Sequence, residues 1–377
     1  MNKHEVTLKL LFAFLLLFFL TTNIFSQEKK EGIPHEFNIS KKVAASSIKS
    51  QGRTSTCWAF ATTSFLEAEL IRLGKGEIDI SEMYFIRKDY PMKAEKFIRY
   101  HGLSNFGPGG LGHDVLRTIK NFGILPELAY GGKLVDSTKY NHSEMHGILD
   151  VMLKSILDQK SGTITPLWKP AFNSVLDIYL GKLPSNFMFD ETEYTPKSFA
   201  ESLEFNPDEY VEITSYTHMP FYEKSNLEIP DNWTNVEYYN IPIDELILLM
   251  KNSIDLGYSF LWDGDAGKDF FHRSGYAVIP VDDWEEDDEP ETEKEISQKM
   301  RQESFDSFVT TDDHLMHITG LAENQNGTTF YYTKNSWGNK GFDGYWYMSE
   351  SYVRLMTISI MVHKNVIPDE LKEKLKI

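Results

Sequence analysis

Hydrophobic and polar positions follow two different periods along this chain, and the change of period divides it. Residues 59–73 carry Phe60, Leu66, Leu70, Ile71 and Leu73 at helical spacings. Glu67, Glu69 and Arg72 fill much of the other face, Gly74 is a natural stop, and Thr54, Ser55 or Thr56 can cap the first turn. Residues 81–86 begin a second helix, and 113–122 form a third that Gly123 closes. Residues 105–112 lie between these two; they are rich in glycine and therefore irregular, with a backbone open to close approach. That segment lacks the lysine and the spacing of a phosphate-binding loop.

From about 131 to 252 the pattern predicts a large helical insertion, with helices at 146–157, 171–180, 196–203 and 243–254. The C-terminal third turns to period two. Residues 258–262 read as a strand, 315–321 alternate, and 328–334 return as a hairpin partner across 323–327. Residues 344–348 continue the sheet and 354–362 form a last apolar alternation. Helices followed by antiparallel strands predict an α+β fold with a helical half and a β half. No internal repeat is visible.

The length of 377 residues allows one large domain, or two of ordinary size, with a substantial core. A balance of 38 basic and 56 acidic residues gives a net charge of −18, which disfavours nucleic acid and acidic membranes as partners. Lys3, His4 and Lys9 precede an apolar run at 10–20, and small residues follow at 21–26. This is the form of a signal peptide at 1–26, cleaved near Ser26–Gln27. The run is short for a membrane span, and no leader cysteine is there to carry a lipid. Export to the periplasm or the medium is therefore expected, with residues 27–377 as the mature domain. The acidic run at about 282–295 reads as an exposed loop.

Cys57 is the only cysteine, so in an oxidising compartment it is a thiol with no internal partner. Most lone cysteines are small buried hydrophobes. This one sits where a loop of hydroxylated residues enters a helix, and unpaired N–H groups and the helix dipole there favour thiolate. Gln51 can bring an amide donor to the same point. A nucleophilic thiol also needs a base and a group that orients it. Asp313-His314 opens one strand and Lys334-Asn335-Ser336-Trp337-Gly338 closes the next, so Asn335 can accept from one imidazole nitrogen while the other faces the thiol. His317, three residues on, points to the opposite face and reads as structural. His142, Glu144 and His146 have the order H-x-E-x-H, not that of a zinc H-E-x-x-H, and read as a solvated first turn. Residues 263–268 resemble part of a calcium loop but lack its spaced glycine and closing glutamate.

Together, Gln51, Cys57-Trp58-Ala59-Phe60, Asp313-His314 and Asn335-Ser336-Trp337-Gly338 resemble the papain superfamily of cysteine peptidases. The resemblance implies Cys57 as nucleophile, His314 as base and acid, Asn335 as orienter and Gln51 as oxyanion donor. It implies that Trp337 shields the His–Asn bond, that Gly109-Gly110 hydrogen-bonds the substrate backbone, and that Leu111 lies near the pocket for the second residue. It implies no cofactor and no metal.

Within the superfamily the chain is most similar to the bleomycin hydrolase and aminopeptidase C branch, which lacks a propeptide and carries a helical insertion. Tyr179-Leu180-Gly181-Lys182-Leu183-Pro184, Asp265-Ala266-Gly267-Lys268 and Val362-His363-Lys364-Asn365-Val366-Ile367-Pro368 carry that likeness. The branch implies peptide or protein substrates, aminopeptidase action and a homo-hexamer. Thr54 departs by standing where secreted relatives have a disulfide cysteine, and the leader departs from a mostly intracellular branch. The branch's C-terminal arm also runs on into the cleft and admits only free N-termini, whereas here the sequence stops soon after Pro368. An unblocked cleft would give endopeptidase action. A thiol amidase, thioesterase or transferase is a further alternative, as is an inactive peptide-binding relative, although none of the four catalytic positions is lost.

Overall fold

The computed structural model describes residues 33–133, 139–159, 162–267, 270–281, 290 and 292–377. The leader at 1–26 and residues 282–289 and 291 of the acidic run lie outside the described residues. Strand β1 (Phe37–Lys42) leads into helices α1 (Cys57–Arg72), α2 (Glu82–Arg99), α3 (Gly112–Phe122), α4 (Ser143–Leu157) and α5 (Trp168–Leu180). Next come β2 (Phe187–Phe189), β3 (Thr192–Tyr194), α6 (Pro196–Ser202), β4 (Tyr210–Thr214), β5 (Lys224–Asn226), β6 (Glu237–Asn240) and α7 (Ile243–Asp255). The β half holds β7 (Phe260–Gly264), β8 (Tyr276–Ala277), α8 (Gln298–Asp306), β9 (His314–Asn324), β10 (Thr329–Lys334) and β11 (Tyr345–Ser349). It closes with α9 (Glu350–Met356), β12 (Thr357–His363) and α10 (Asp369–Leu375).

The main sheet runs β5-β6-β4-β12-β7-β9-β10-β11-β8, with β1 pairing on the far half of β9. The expected helical insertion thus also supplies strands: β4, β5 and β6 extend this sheet. The apolar alternation expected at 354–362 is a strand only from Thr357, because residues up to Met356 finish a helix that Ser349 caps from its side chain.

Helix α1 is not the half-solvated helix its pattern predicts. Every residue from Cys57 to Leu70 is buried, Glu67 and Glu69 included. Buried carboxylates need partners. Glu67 accepts from Ile80 N–H at 2.9 Å and lies 3.1 Å from Lys49 Nζ, while Glu69 pairs with Arg72 at 2.8 Å. Alternation along β9 then splits two cores. Leu315 faces the helical core around α1, and Met316 and Ile318 face the core shared with α7. Helix α10 docks on that second core through Leu371 and Leu375, and Lys374 reaches Glu245 at 3.2 Å.

His142 corrects another expectation. It is buried rather than solvated, and among the described residues neither ring nitrogen has a partner. His146, beside it, stacks on Phe106 with centroids 5.7 Å apart. Among the described residues no cluster of three or more potential metal ligands occurs. No described helix is long and apolar enough to cross a membrane.

Candidate active site

The segment before α1 is held from below and from within. Lys49 Nζ, 2.7 Å from Glu82 as well as bonded to Glu67, fixes the approach to Gln51 against α1. Thr56 Oγ1 donates to Thr54 Oγ1 at 2.7 Å, and Thr54 Oγ1 donates to the Gln51 carbonyl at 2.9 Å. That hydroxyl relay braces the turn before α1. The expected side-chain cap is absent, because Thr56 makes no capping hydrogen bond to the helix. Ala59 N–H instead donates to the Thr56 carbonyl at 3.1 Å, which leaves the Cys57 N–H ahead of the first helical hydrogen bond.

Strand pairing assembles the base. His314 is the first residue of β9, and Asn335 follows the end of β10 on the neighbouring strand. His314 Nε2 lies 2.8 Å from Asn335 Oδ1, which also accepts from Ser336 N–H at 2.7 Å. With Nε2 donating to Asn335, Nδ1 is the nitrogen left to accept a proton. The Trp337 ring covers this pair, its centroid 4.9 Å from that of His314. Cys57 lies at the same strand end, and its sulfur accepts from the Leu315 backbone N–H. His317 faces the other way: its Nδ1 sits 2.9 Å from Ser64 Oγ, and burial holds its pKa far below the ordinary value.

Ser336 was given no role in the sequence, yet it holds the Gln51 side chain in place. Its Oγ donates to Gln51 Oε1 at 2.6 Å, and Gln51 N–H donates to the Ser336 carbonyl at 2.9 Å. With the amide oxygen occupied, Gln51 presents its Nε2 donors. Ser336 lies between two residues that were recognised, and only the fold shows that its hydroxyl reaches across to Gln51.

The electrostatics reverse the expectation of a thiolate. Burial pushes the Cys57 thiol up to about 12; the Leu315 N–H opposes this, while Asp312, Asp231 and Asp263 add to it. Burial also lowers the His314 pKa, against the Asn335 hydrogen bond and Asp313. Both shifts act against a thiolate–imidazolium pair.

Those carboxylates mark one flank. Gly109-Gly110 and Leu111 lie there: Trp58 Nε1 donates to the Pro108 carbonyl at 3.0 Å, and Lys93 Nζ binds the Gly107 carbonyl at 3.2 Å and the Gly109 carbonyl. A side chain at Gly109 would displace the Asp231 carboxylate, and one at Gly110 would press on the Trp58 ring at 3.0 Å, so backbone, Asp231 and Trp58 approach closely here. A narrow recess lined by Leu111, Gly112, Leu261, Asp263, Leu315 and Ser359 opens beside them. Asp263, in β7 opposite Leu315, shares a hydrogen bond with Asp312, and Ser359 Oγ donates to its Oδ2 at 3.2 Å. Among the described residues no N–H or hydroxyl reaches Asp263 Oδ1 or Asp312 Oδ2. Sequence reasoning missed all three acids. Asp263 resembled a metal-loop residue, and only its place in β7 brings it to Cys57.

A helical half, a β half and a Cys–His–Asn set at their junction define a papain-like cysteine peptidase. Residues 33–147 match the papain family cysteine proteases. Residues 176–377, more than half of the chain, match the Peptidase C1-like family, and the chain belongs to that family. Aminopeptidase C of Listeria monocytogenes serovar 1/2a is 21% identical over 374 residues, covering 89% of this chain and 84% of that protein. Aminopeptidase C of Lactobacillus helveticus is 25% identical over 202 residues, which are 50% of this chain and 42% of that protein. The crystal structure of PepW from Lactobacillus rhamnosis HN001 shares the fold, with a TM-score of 0.72 at 20% identity, covering 90% of this chain and 84% of that one.

Proposed function

We propose that the protein is an exported thiol aminopeptidase that works through a Cys57 acyl-enzyme. Substrate binding brings a peptide carbonyl to Cys57 Sγ. The thiol proton passes to His314 Nδ1, sulfur bonds to the carbonyl carbon, and the C=O π pair moves onto oxygen. Gln51 Nε2–H and the Cys57 backbone N–H stabilise that oxyanion. When it collapses, the C–N bond breaks and His314 returns its proton to the leaving amine. Water then attacks the thioester, giving one proton to His314 and restoring the thiol. The 2.8 Å bond from His314 Nε2 to Asn335 Oδ1 carries this reading, because it fixes the tautomer that makes Nδ1 the base.

Two observations support aminopeptidase action: the relatives named Aminopeptidase C and the acidic flank. A substrate with a free N-terminus brings an ammonium group. Brought up to Asp231 and Asp312, it offsets the two carboxylates that contribute most to raising the thiol pKa. The test compares wild type with Cys57→Ala on two fluorogenic peptides, one with a free N-terminus and one N-acetylated. Cleavage of the free peptide alone, lost in the variant, is the expected result; equal cleavage of both sinks the aminopeptidase reading, and cleavage of neither sinks peptidase action. Export rests on the pattern of residues 1–26, and the mass of the exported chain should place its N-terminus near Gln27.

A further inference from the structure

The flank opposite the carboxylates carries the other sign. A cavity of about 700 Å³ opens beside Trp337, lined by Arg53, Lys139, Arg273, Lys340 and Trp346 and by the residues on either side of Gln51. Among the described residues no carboxylate lines it. On a chain with a net charge of −18, this concentration of cations is not the background composition. Among the described residues, no acidic side chain or hydrogen-bond acceptor engages the side chains of Arg53, Arg273 or Lys340, although lysines and arginines elsewhere pair widely, as Lys49, Arg87 and Arg354 do. Arg53, Arg273 and Lys340 are exposed and so available to a ligand.

The cavity's position defines what it can touch. Trp337 lies over His314, its ring tilted by 34° with centroids 4.9 Å apart, and His314 is the group that protonates the leaving amine, so the cavity receives the part of the substrate beyond the scissile bond. We infer that this cavity is a subsite for a carboxylate on the leaving-group side, supplied by a peptide's own C-terminus or by an acidic side chain just after the scissile bond. This rests on the peptidase reading above and deepens it. The enzyme then favours short peptides with a free C-terminus, or acidic ones, and grips them at both ends. Guanidinium and ammonium groups bind carboxylate through charge-assisted hydrogen bonds, and the two indoles shield part of that field from water.

Affinity tests this independently of turnover. Full-length Cys57→Ala is titrated calorimetrically with Ala-Ala-Ala as the free acid, as its C-terminal amide, and as an amide with Asp at the second position. The free acid should bind about fivefold to tenfold more tightly than the plain amide, with the gap shrinking as salt is added. Arg273→Glu with Lys340→Glu, both on the surface, should invert the order. Recovery by the Asp amide identifies a side-chain carboxylate, and preference confined to the free acid identifies a terminal one; either supports the subsite. Equal affinity for acid and plain amide overturns it and leaves the peptidase reading intact. Absence of turnover by the wild-type enzyme on all three peptides overturns that reading instead, while the affinities of Cys57→Ala still decide the subsite.

Discussion

The two flanks of the cleft carry opposite charge and are built in opposite ways. Asp263 is fixed in a central strand, sealed from solvent, and tied to Asp312 and Ser359. Arg53, Arg273 and Lys340 sit exposed on loops around an open cavity. Buried charges act through a weakly polarisable surrounding, and ions in solution screen them little. Exposed charges lose most of their reach within a Debye length of about 8 Å at physiological salt. The acidic flank can therefore decide whether a substrate is accepted, while the cationic flank grades the substrates that are. Between them stand His314 and Gln51, on which both flanks depend.

The most severe way to break the comparison is at that shared centre. His314→Gln should lower kcat about a thousandfold or more with little change in KM, since proton transfer in both half-reactions is lost. His317→Gln should leave kcat within about threefold and act on stability instead, because that ring is packed against Ser64 and faces away from the cleft. A large kcat loss from His317→Gln and none from His314→Gln would exchange the two histidines. Gln51→Ala comes next, with turnover down roughly a hundredfold or more. Ser336→Ala should follow in the same direction but less far, because it frees the Gln51 amide without removing it.

What was readable in the sequence follows the same division. Cys57, His314, Asn335 and Gln51 announce themselves because each sits in a short local pattern, and the structure brings all four to one strand end. The β half was legible for the same reason, since period two is a local signal in 315–321 and 328–334. Glu67 and Glu69 misled because a polar residue at helical spacing reads as solvent-facing, while here tertiary packing supplies Lys49 and Arg72 as partners. Asp231, Asp263 and Asp312 come from three separate segments and meet only when β7, β9 and the loop before β6 are folded together. No local pattern encodes that meeting, and the same holds for Arg53, Arg273 and Lys340.

Asp312→Asn sharpens the comparison on the acidic side alone. It should raise KM for a peptide with a free N-terminus by about tenfold and leave the N-acetylated peptide nearly unchanged. It should also lower the thiol pKa, since Asp312 is one of the carboxylates raising it. Alkylation of Cys57 by iodoacetamide at pH 8 should then run faster in the variant than in wild type. Equal effects on both peptides would mean that Asp312 supports the site's shape and not an ammonium group.

The smallest expected effect is a pH dependence confined to the same flank. Burial raises Asp312 to about 7, with Asp231 adding to the shift, while the hydrogen bond with Asp263 and the charge of Lys93 oppose it. As an acid titrating there, Asp312 is mostly neutral at pH 6 and mostly ionised at pH 7.5, so the flank gains negative charge as pH rises. The substrate α-ammonium keeps its proton until about pH 8. Attraction between them therefore strengthens across that window, and KM for the free peptide should fall by about threefold to fivefold from pH 6 to 7.5. The N-acetylated peptide should show a flat KM, and Asp312→Asn should flatten the free peptide as well. A KM that rises with pH would mean that the substrate needs the protonated carboxyl as a donor. The same ionisation raises the thiol pKa in the empty enzyme, and only a bound cation can cancel it. Free N-termini should thus gain over acetylated ones in kcat as well as KM as pH increases, a divergence that belongs to the acidic flank alone.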